Sequence, residues 1–393
     1  MKIVQINSVC GRGSTGKICL AVSQLLCNKG IENYILYSRF HSDYDHAIKY
    51  QNEFYSKVQA FREKLLGTFG FESELSTRIL VRQLQKIKPD IVHLHILHSH
   101  DCNLTLLFDY LRDNKIKVFW TFHDCWAMTA YCTHFDMIGC GKWKETCCGC
   151  PQLKSYSWFF DKSEKLHNNK KEMIKGVDLT IITPSNWMAN IVNQSLFKNN
   201  QIITINNGIN LDLFKRNNDN VFRNKYSIEN EFIVLGVAFD WGKKKGLDCF
   251  CRLAQELPLG YRIVLVGTND SIDKRLPTNI ISIHRTTNQR ELVDIYSAAD
   301  LLFNPTRQDT FPTVNIEALA CGTPVLTFDT GGSPEIIDDS CGSVIKKNDF
   351  LAAKSEIIRI AREQPYTKEN CRKKAMQYDM RDKYNEYINL YIR

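Results

Sequence analysis

The stretch DLLFNPTRQDTFPTVNIEALACGTPVLTFD, from Asp300 to Asp329, contains the pattern from which the whole chain is built. An apolar run is followed by a polar loop, by a segment with apolar residues at helical spacing, and by a second apolar run. Pro312 suits the first turn of a helix, and Gly322 suits its end. A strand, a helix and a second strand in this order form a unit whose strands run parallel. The stretch therefore predicts a parallel α/β sheet with a polar loop after one strand.

The same alternation of short apolar runs and amphipathic segments continues through the chain. Strands are predicted at KIVQIN, DIVHLHIL and KVFWTF in the first half and at FIVLGVA, YRIVLVG and IISIHR in the second. A chain of 393 residues also exceeds most single cores, which rarely grow past about 250–300 residues. We therefore predict an α/β fold of two Rossmann-like, doubly wound parallel-sheet domains facing a cleft. The predicted ranges are 1–206 for the first domain, with a cysteine-rich insert at 125–151, 207–372 for the second, and 373–393 for a final helix that packs back on the first.

Composition narrows the class of protein. The chain is 44% hydrophobic and 24% charged, which is ordinary for a globular protein. It has no apolar run long enough to span a membrane, and its N-terminus does not resemble a signal peptide, so we expect a cytoplasmic location. A net charge of +8 favours anionic partners without specifying one, and no nucleic-acid partner is predicted.

Four loops after predicted strands carry residues suited to binding or catalysis. GRGSTGK, from Gly11 to Lys17, has the glycine and lysine spacing of a phosphate-binding P-loop, but Ile18 stands where a hydroxyl would bind Mg²⁺. His123 follows the strand KVFWTF, and the run Lys243–Lys245 precedes a glycine and a predicted helix, where lysine and helix amides can act on one anion. The fourth loop contains one acidic residue, and the predicted helix that follows it contains another.

Asp309 and Glu317 are these two acids, and they suit recognition of sugar hydroxyls because each carboxylate accepts several hydrogen bonds. With TPSNWM, INNGINLDLF, KKKG and DTFPTVNIEALACGTPV, this chain resembles the retaining glycosyltransferases of the GT-B fold, including those of bacterial exopolysaccharide and colanic-acid synthesis. The resemblance covers nearly the whole chain. It implies a hexosyltransferase that moves a sugar from a nucleotide-diphosphate donor to a glycan or lipid-linked acceptor with retention of configuration, in surface polysaccharide synthesis.

The resemblance also implies roles for individual residues. Asp309 would face the donor sugar, and Glu317 would hold the ribose hydroxyls. Lys245, with Lys244, would neutralise the diphosphate, so that no metal cofactor is required for catalysis, and His123 would lie near the transferred sugar. The remaining implied substrate-binding residues are Gly13, Ser14, Thr15, Gly16, Asn207, Thr310, Phe311 and Thr313.

Three positions depart from the pattern of that family. Asp309 stands where glutamate is usual. Val237 follows Gly236 at the position where the family often has an arginine. Pro312 stands where a glycine amide often donates a hydrogen bond to the sugar nucleotide. These departures leave two alternatives open beside the transferase. One is a P-loop-like NTPase built on Gly11–Lys17, and the other is a catalytically silent protein that binds sugar nucleotides.

The insert YCTHFDMIGCGKWKETCCGCPQ is the most cysteine-rich part of the chain. Cys132, Cys140, Cys147 and Cys150 end in a Cys-x2-Cys pair, which is typical of a structural zinc site. Reduced thiols without a ligand, or a redox or iron–sulfur role, are the alternatives. Two basic helical segments, SKVQAFREKLLGTF and DKSEKLHNNKKEMIKG, are either solvated faces or contacts to the inner face of the cell membrane.

Overall fold

The computed structural model describes residues 1–217, 219–286 and 288–392, and these residues form two units. The first unit contains Met1–Ile205 together with the chain from Tyr384 onward, and the second contains Asn206–Lys383. Each unit is an α/β structure built on its own sheet. Among the described residues, no helix combines the length and the apolar character needed to cross a membrane.

The sheet of the first unit has the order β3-β2-β1-β4-β5-β6-β7 over the described residues, and every neighbouring pair is parallel. Its strands are β1 (Lys2–Asn7), β2 (Glu32–Tyr37), β3 (Ala47–Lys49), β4 (Ile91–Leu94), β5 (Lys117–Thr121), β6 (Leu179–Thr183) and β7 (Gln201–Thr204). The helices between them are α1 (Gly13–Asn28), α2 (Glu53–Leu66), α3 (Glu74–Ile87), α4 (Leu104–Asp113), α5 (Leu153–Tyr156), α6 (Ser163–Met173) and α7 (Asn186–Val192).

The sheet of the second unit has the order β10-β9-β8-β11-β12-β13 in the described chain and is also parallel throughout. Its strands are β8 (Phe232–Val237), β9 (Tyr261–Val266), β10 (Ile280–Ile283), β11 (Leu301–Asn304), β12 (Val325–Phe328) and β13 (Gly342–Ile345). Its helices are α8 (Val221–Lys225), α9 (Leu247–Glu256), α10 (Asp270–Asp273), α11 (Gln289–Ala298), α12 (Thr313–Ala320), α13 (Phe350–Glu363) and α14 (Lys368–Ala375). The last helix, α15 (Met380–Ile392), begins in the second unit and returns to the first.

Helix α4 shows why these sequences form these elements. Leu104, Leu107, Phe108 and Leu111 are fully buried and recur at the spacing of one helical face. Asn103 caps the helix, because its side-chain oxygen accepts a hydrogen bond from the amide of Leu106 at 3.1 Å. The strands are buried on both faces, as the fully buried residues of β4 and β12 show, which is the condition under which parallel sheets occur.

Candidate active site

The strand order of the second sheet reverses between β8 and β11, which are neighbours in space although two strands separate them in the chain. Ligands of doubly wound folds bind beyond the carboxyl ends of the strands at such a reversal. The loops that follow these two strands contain the lysine run and Asp309. A cavity of about 730 Å³ lies at the other end of this sheet, where Phe232, Tyr261 and Asp300 begin or precede their strands, so it is separate from these loops.

The two loops touch at Gly246. Residues Lys243–Lys245 form a 3₁₀ turn, and Gly246 follows with φ of 74°, a left-handed conformation that favours glycine. A Cβ atom at this position would lie 2.6 Å from the carbonyl oxygen of Pro305 in the neighbouring loop. Glycine is therefore required here both by the backbone conformation and by the close approach of the two loops.

Lys245 and Asp309 form an ion pair across these loops. The Lys245 Nζ lies 2.6 Å from Asp309 Oδ2, and both side chains keep some exposure to solvent. The sequence predicts both residues for one site but in two roles, one at the diphosphate and one at the sugar. The structure brings them into direct contact, so an anion that binds Lys245 competes with Asp309 for the same ammonium group.

Arg307 also joins the two loops, and the sequence prediction did not single it out. Its guanidinium forms a bidentate pair with Asp248 at 2.7 Å and 2.7 Å and donates to the carbonyl oxygen of Lys243 at 2.5 Å. Its backbone amide donates to the carbonyl oxygen of Lys244 at 2.8 Å. Bidentate arginine–carboxylate pairs have a fixed geometry, so Arg307 holds the lysine run in place. Its position at the carboxyl end of a predicted strand was the available signal.

Glu317 lies in the second turn of α12, as the sequence predicts. The buried hydroxyl of Tyr296 donates a hydrogen bond to Glu317 Oε2 at 2.9 Å. Burial raises the pKa of Tyr296 well above its ordinary value, and the charge of Glu317 raises it further, so this hydroxyl stays protonated and continues to donate. The contact directs one carboxylate oxygen towards Tyr296.

The Gly-Gly turn after β12 packs on the loop that holds Asp309. Gly331 has φ of 60°, and a Cβ atom there would lie only 1.7 Å from the carbonyl oxygen of Asp309. Behind the turn, buried hydrogen bonds connect the ends of β11 and β12 to α12, through Asn304, Asn315, Thr327 and Ser333. The turn at Gly331 and Gly332 therefore packs directly on the backbone of the loop and fixes the position of Asp309.

The other predicted residues of this unit differ in exposure. The side chain of Phe311 is buried in the hydrophobic core, where its ring contacts Tyr378, so only its backbone is available to a substrate. Thr310 is buried, and Thr313 is half-buried at the start of α12. The side-chain oxygen of Asn207 is buried without a hydrogen-bond partner in the described chain.

In the first unit the order reverses between β1 and β4, and His123 follows the next strand, β5. Its Nε2 lies 3.1 Å from Nδ1 of His95, whose Nε2 lies 3.2 Å from Oε1 of Gln5. The Gln5 amide nitrogen donates to the Cys19 carbonyl oxygen at 3.0 Å, so its oxygen must accept from His95. His95 therefore carries its proton on Nε2, and His123 must donate from its own Nε2. Burial lowers the pKa of His123 to about 4, so the ring is neutral and its Nδ1 is an acceptor.

Asp124 is the next residue and pairs with His98 at 2.8 Å. Burial would raise the pKa of Asp124, but the positive charge of His98 and hydrogen bonds from His98 and the Trp126 amide lower it to about 2. Burial likewise opposes a charge on His98, and the Asp124 carboxylate more than offsets it and raises the pKa of His98. The pair places opposite charges beside His123, since Asp124 raises the pKa of His123 and His98 lowers it.

The predicted loop at Gly11–Lys17 is largely helical, which corrects the sequence prediction. Helix α1 begins at Gly13, so residues 13–16 form its first turn and do not wrap around a phosphate as a P-loop does. Lys17 is exposed on the helix. A Cβ atom on Gly16 would lie 2.9 Å from Val9 Cγ2, so this glycine is explained by packing within the turn. Gly13 and Ser14 are exposed and Thr15 is half-exposed, and these three remain available to a ligand.

The cysteine-rich insert brings its four predicted ligands to one place. Cys132, Cys140, Cys147 and Cys150 line a single cavity of about 20 Å³. Burial raises the pKa of Cys132 to about 11 and that of Cys147 to about 12, and each is raised a little more by neighbouring cysteines. The sulfurs of the insert are not close enough together in the described chain to form a preformed metal site. Among the described residues, the ligand atoms that all lie within 4.8 Å of one another belong to Asp270, Asp273 and His284 instead.

Two parallel α/β units with charged loops at the reversal of strand order define the GT-B class of fold. Comparison with protein families then identifies the family. Residues 16–213 match Glycosyltransferase Family 4, and residues 217–378 match Glycosyl transferases group 1. The chain belongs to Glycosyltransferase Family 4 and is a glycosyltransferase.

Individual relatives agree with this assignment. The chain is 24% identical to a putative colanic acid biosynthesis glycosyl transferase, WcaC of Escherichia coli K12, over 100% of its own length and 99% of that protein. Among solved structures it is similar to the sucrose-phosphate synthase of Thermosynechococcus elongatus, with 18% identity, 99% and 98% coverage and a TM-score of 0.72. It is also similar to Anabaena HepE in complex with UDP-glucose, with 13% identity, 100% and 99% coverage and a TM-score of 0.69. These structural similarities support the fold.

Proposed function

We propose that this glycosyltransferase moves a hexose from a nucleotide-diphosphate sugar to a glycan or lipid-linked acceptor in surface polysaccharide synthesis, with retention of anomeric configuration. The observation that carries the proposal is the contact between Lys245 and Asp309 at the strand reversal of the second unit. The same loops present Lys244 and lead into helices α9 and α12. Two relatives support the details, since one is named for colanic acid biosynthesis and one binds UDP-glucose.

The proposed chemistry follows from the charges at this site. When the bond between the sugar and the diphosphate breaks, negative charge develops on the leaving phosphate. Lys245 and Lys244 would stabilise that charge as it forms, so that catalysis requires no metal ion. Lys245 would exchange its contact with Asp309 for a phosphate oxygen, which leaves the Asp309 carboxylate to accept hydrogen bonds from the donor sugar.

Two further residues, one in each unit, have proposed roles in substrate binding. Glu317, on α12 of the second unit, would accept hydrogen bonds from the ribose hydroxyls through its carboxylate, which Tyr296 orients. His123 would accept a hydrogen bond from a hydroxyl of the transferred sugar through Nδ1, because its Nε2 proton is committed to His95. These assignments predict that replacement of Glu317 mainly weakens nucleotide binding, whereas replacement of Asp309 mainly lowers turnover.

The decisive experiment is a thermal-shift panel of UDP-, GDP- and ADP-sugars on the pure protein, followed by NMR of the product. We expect one class of donor to raise the melting temperature, the Glu317→Ala variant to lose that shift, and the product to retain the anomeric configuration of the donor. An inverted product would contradict retention. Tight donor binding without any slow hydrolysis would favour a silent sugar-nucleotide-binding protein.

An exposed aromatic patch in the first unit supports an acceptor at a membrane surface. The patch consists of Phe54, Phe61, Trp158, Phe159 and Phe160, all at least half exposed. The ring centroids of Phe61 and Trp158 lie 5.3 Å apart, and helix α2, which carries Phe54 and Phe61, also carries lysines. Aromatic side chains beside lysines are typical of surfaces that rest on anionic leaflets.

We therefore propose peripheral contact of this patch with the cytoplasmic face of the membrane. Flotation with vesicles that contain anionic lipid tests it. The wild-type protein should float with the vesicles, and a Phe54→Ser, Phe159→Ser variant should stay in the soluble fraction. A wild-type protein that fails to float contradicts the membrane proposal but leaves the transferase proposal intact.

A further inference from the structure

The insert after β5 is compact although it contains little regular structure. Between β5 and α6 the described chain forms 3₁₀ turns at Trp126–Met128 and Lys142–Lys144 and one short helix, α5. Nevertheless Trp126, Tyr131 and Trp143 are buried in the core of the first unit. A segment without strands or long helices needs another source of order, such as a cross-link or a bound metal ion.

The four cysteines of the insert surround one small space. Cys132, Cys140, Cys147 and Cys150 line the cavity of about 20 Å³ and pack against the same hydrophobic core. A space of about 10–15 Å³ holds one water-sized guest, so this cavity has room for a single ion and for little else. The Cys-x2-Cys pair at its rim has the spacing at which one turn of backbone presents two sulfurs to one metal.

A buried lysine supplies an independent observation. Lys170 on α6 is fully buried, and its Nζ donates to the carbonyl oxygens of Trp126 at 2.7 Å and of Thr129 at 2.9 Å. The ammonium group also lies 3.5 Å from the centre of the Trp126 ring. In the part of the chain that the structure describes, Lys170 forms no ion pair, and fully buried lysines without a charged partner are rare.

Three groups that can carry negative charge act on this lysine, namely Cys147, Cys132 and Asp124. Thr129 lines the cysteine cavity, and Lys170 interacts electrostatically with both Cys147 and Cys132. Four thiolates around Zn²⁺ carry a net charge of −2, which a buried ammonium group partly neutralises. With four neutral thiols, the anion that remains near Lys170 is Asp124, whose carboxylate already pairs with His98.

We propose that Cys132, Cys140, Cys147 and Cys150 bind one structural Zn²⁺ ion, with Lys170 as a buried counter-charge. Four zinc–sulfur bonds form, and the four thiol protons pass to solvent. Sulfurs around tetrahedral zinc lie about 3.8 Å apart, given zinc–sulfur bonds of about 2.3 Å. No three of these sulfurs lie within 4.8 Å of one another in the described structure, so binding includes side-chain rotation that draws them together. The proposal is independent of the sugar-transfer reaction.

Metal analysis of the pure protein tests the proposal directly. The chain is expressed in medium supplemented with zinc and purified without a metal-binding tag, and its metal content is measured by mass spectrometry. We expect about one zinc per chain for the wild type and under a tenth of that for Cys147→Ser and Cys150→Ser. Cys148→Ser is the matched control, because Cys148 is the exposed neighbour of Cys147, and it should keep about one zinc. A wild-type content well below half a zinc per chain overturns the proposal.

Two further measurements keep the test valid if a variant fails to fold. Cobalt added to wild-type protein stripped of metal should give the intense absorption of tetrahedral Co²⁺ with thiolate ligands. Alkylation of the native wild type, read by peptide mass, should spare the four ligands and modify Cys148. Octahedral cobalt, disulfide-linked peptides from the insert, or equal loss of zinc in Cys148→Ser and Cys147→Ser would each overturn the assignment.

Discussion

Replacement of Gly331 by alanine should destabilise the loop that holds Asp309, and by more than the left-handed backbone conformation of Gly331 alone would cause. Gly331 has φ of 60°, and alanine in a left-handed conformation costs about 1–2 kcal/mol. In addition, the new Cβ would lie 1.7 Å from the carbonyl oxygen of Asp309, whereas carbon and oxygen normally approach to about 3.3 Å. One of the two loops must therefore move by about 1.6 Å.

The expected cost combines these two terms. Overpacking of this kind usually costs about 1–3 kcal/mol, so Gly331→Ala should lower the free energy of unfolding by about 2–5 kcal/mol in total. The shift of the Asp309 loop should also lower donor turnover by about a hundredfold, since misplacement by about 1 Å has effects of that size. Urea denaturation gives the first quantity, and the rate of donor hydrolysis gives the second.

Gly260 offers a matched control in the same unit. Its φ is 94°, but no heavy atom lies within 4 Å of the position that a Cβ would occupy. Gly260→Ala should therefore show the conformational cost alone and leave donor turnover unchanged. If Gly331→Ala is no less stable than Gly260→Ala and hydrolyses the donor at the wild-type rate, the two loops do not pack as described.

Three other perturbations test separate parts of the site. Tyr296→Phe removes the hydrogen bond to Glu317, which costs about 1 kcal/mol. Donor affinity measured by calorimetry should therefore fall about fivefold, while kcat changes little. Unchanged affinity would contradict the positioning role of Tyr296. Arg307→Lys keeps the charge but loses the bidentate pair with Asp248, so nucleotide binding should weaken about tenfold with no change in its salt dependence, measured by calorimetry at two ionic strengths. Burial holds the pKa of His95 well below 6.5, so the unfolded chain takes up a proton that the folded chain refuses, and the free energy of unfolding should fall as the pH drops below about 6.5. Urea titrations at several pH values measure this effect. Between about pH 6.5 and 5, the free energy of unfolding should fall by up to about 2 kcal/mol less in His95→Gln than in the wild type. An unchanged pH dependence would show that this histidine is not buried as a neutral ring.

The main elements of the fold could be predicted because the central strands are apolar on both faces and helix caps have local signals. One example is Asn288, which Glu291 follows at the spacing of a capping box, and the Asn288 side chain accepts from the Glu291 amide at 3.0 Å. The edge strands β3 and β13 were missed. Strand β3 has three residues, none of them buried, and β13 begins at a glycine, so neither carries the apolar run on which the prediction depends.

The contacts within the site were less accessible to sequence reasoning. The sequence indicates that Lys245 and Asp309 belong to one site, but the glycines at 331 and 332 indicate only that some group approaches the backbone closely there. In the structure the group that approaches Gly331 is the Asp309 carbonyl oxygen. Pairing of Lys245 with Asp309 also depends on which strands are neighbours, and local spacing contains no information on that.

The strand pairing that joins the two donor loops is itself short, which explains why the loops need so many contacts of their own. Strands β8 and β11 are paired through Leu301 with Val234 and Leu302 with Leu235 in the described chain. A shift of one residue along a strand moves a loop by about 3.3 Å and turns its side chains to the other face of the sheet. The packing of Gly246 on Pro305 and the hydrogen bonds of Arg307 lie beyond the last paired residues, so they oppose such a shift at the point where it would matter. The distance from Lys245 to Asp309 is therefore set by loop contacts as well as by the sheet, and Arg307→Lys should change donor binding more than it changes the stability of the unit.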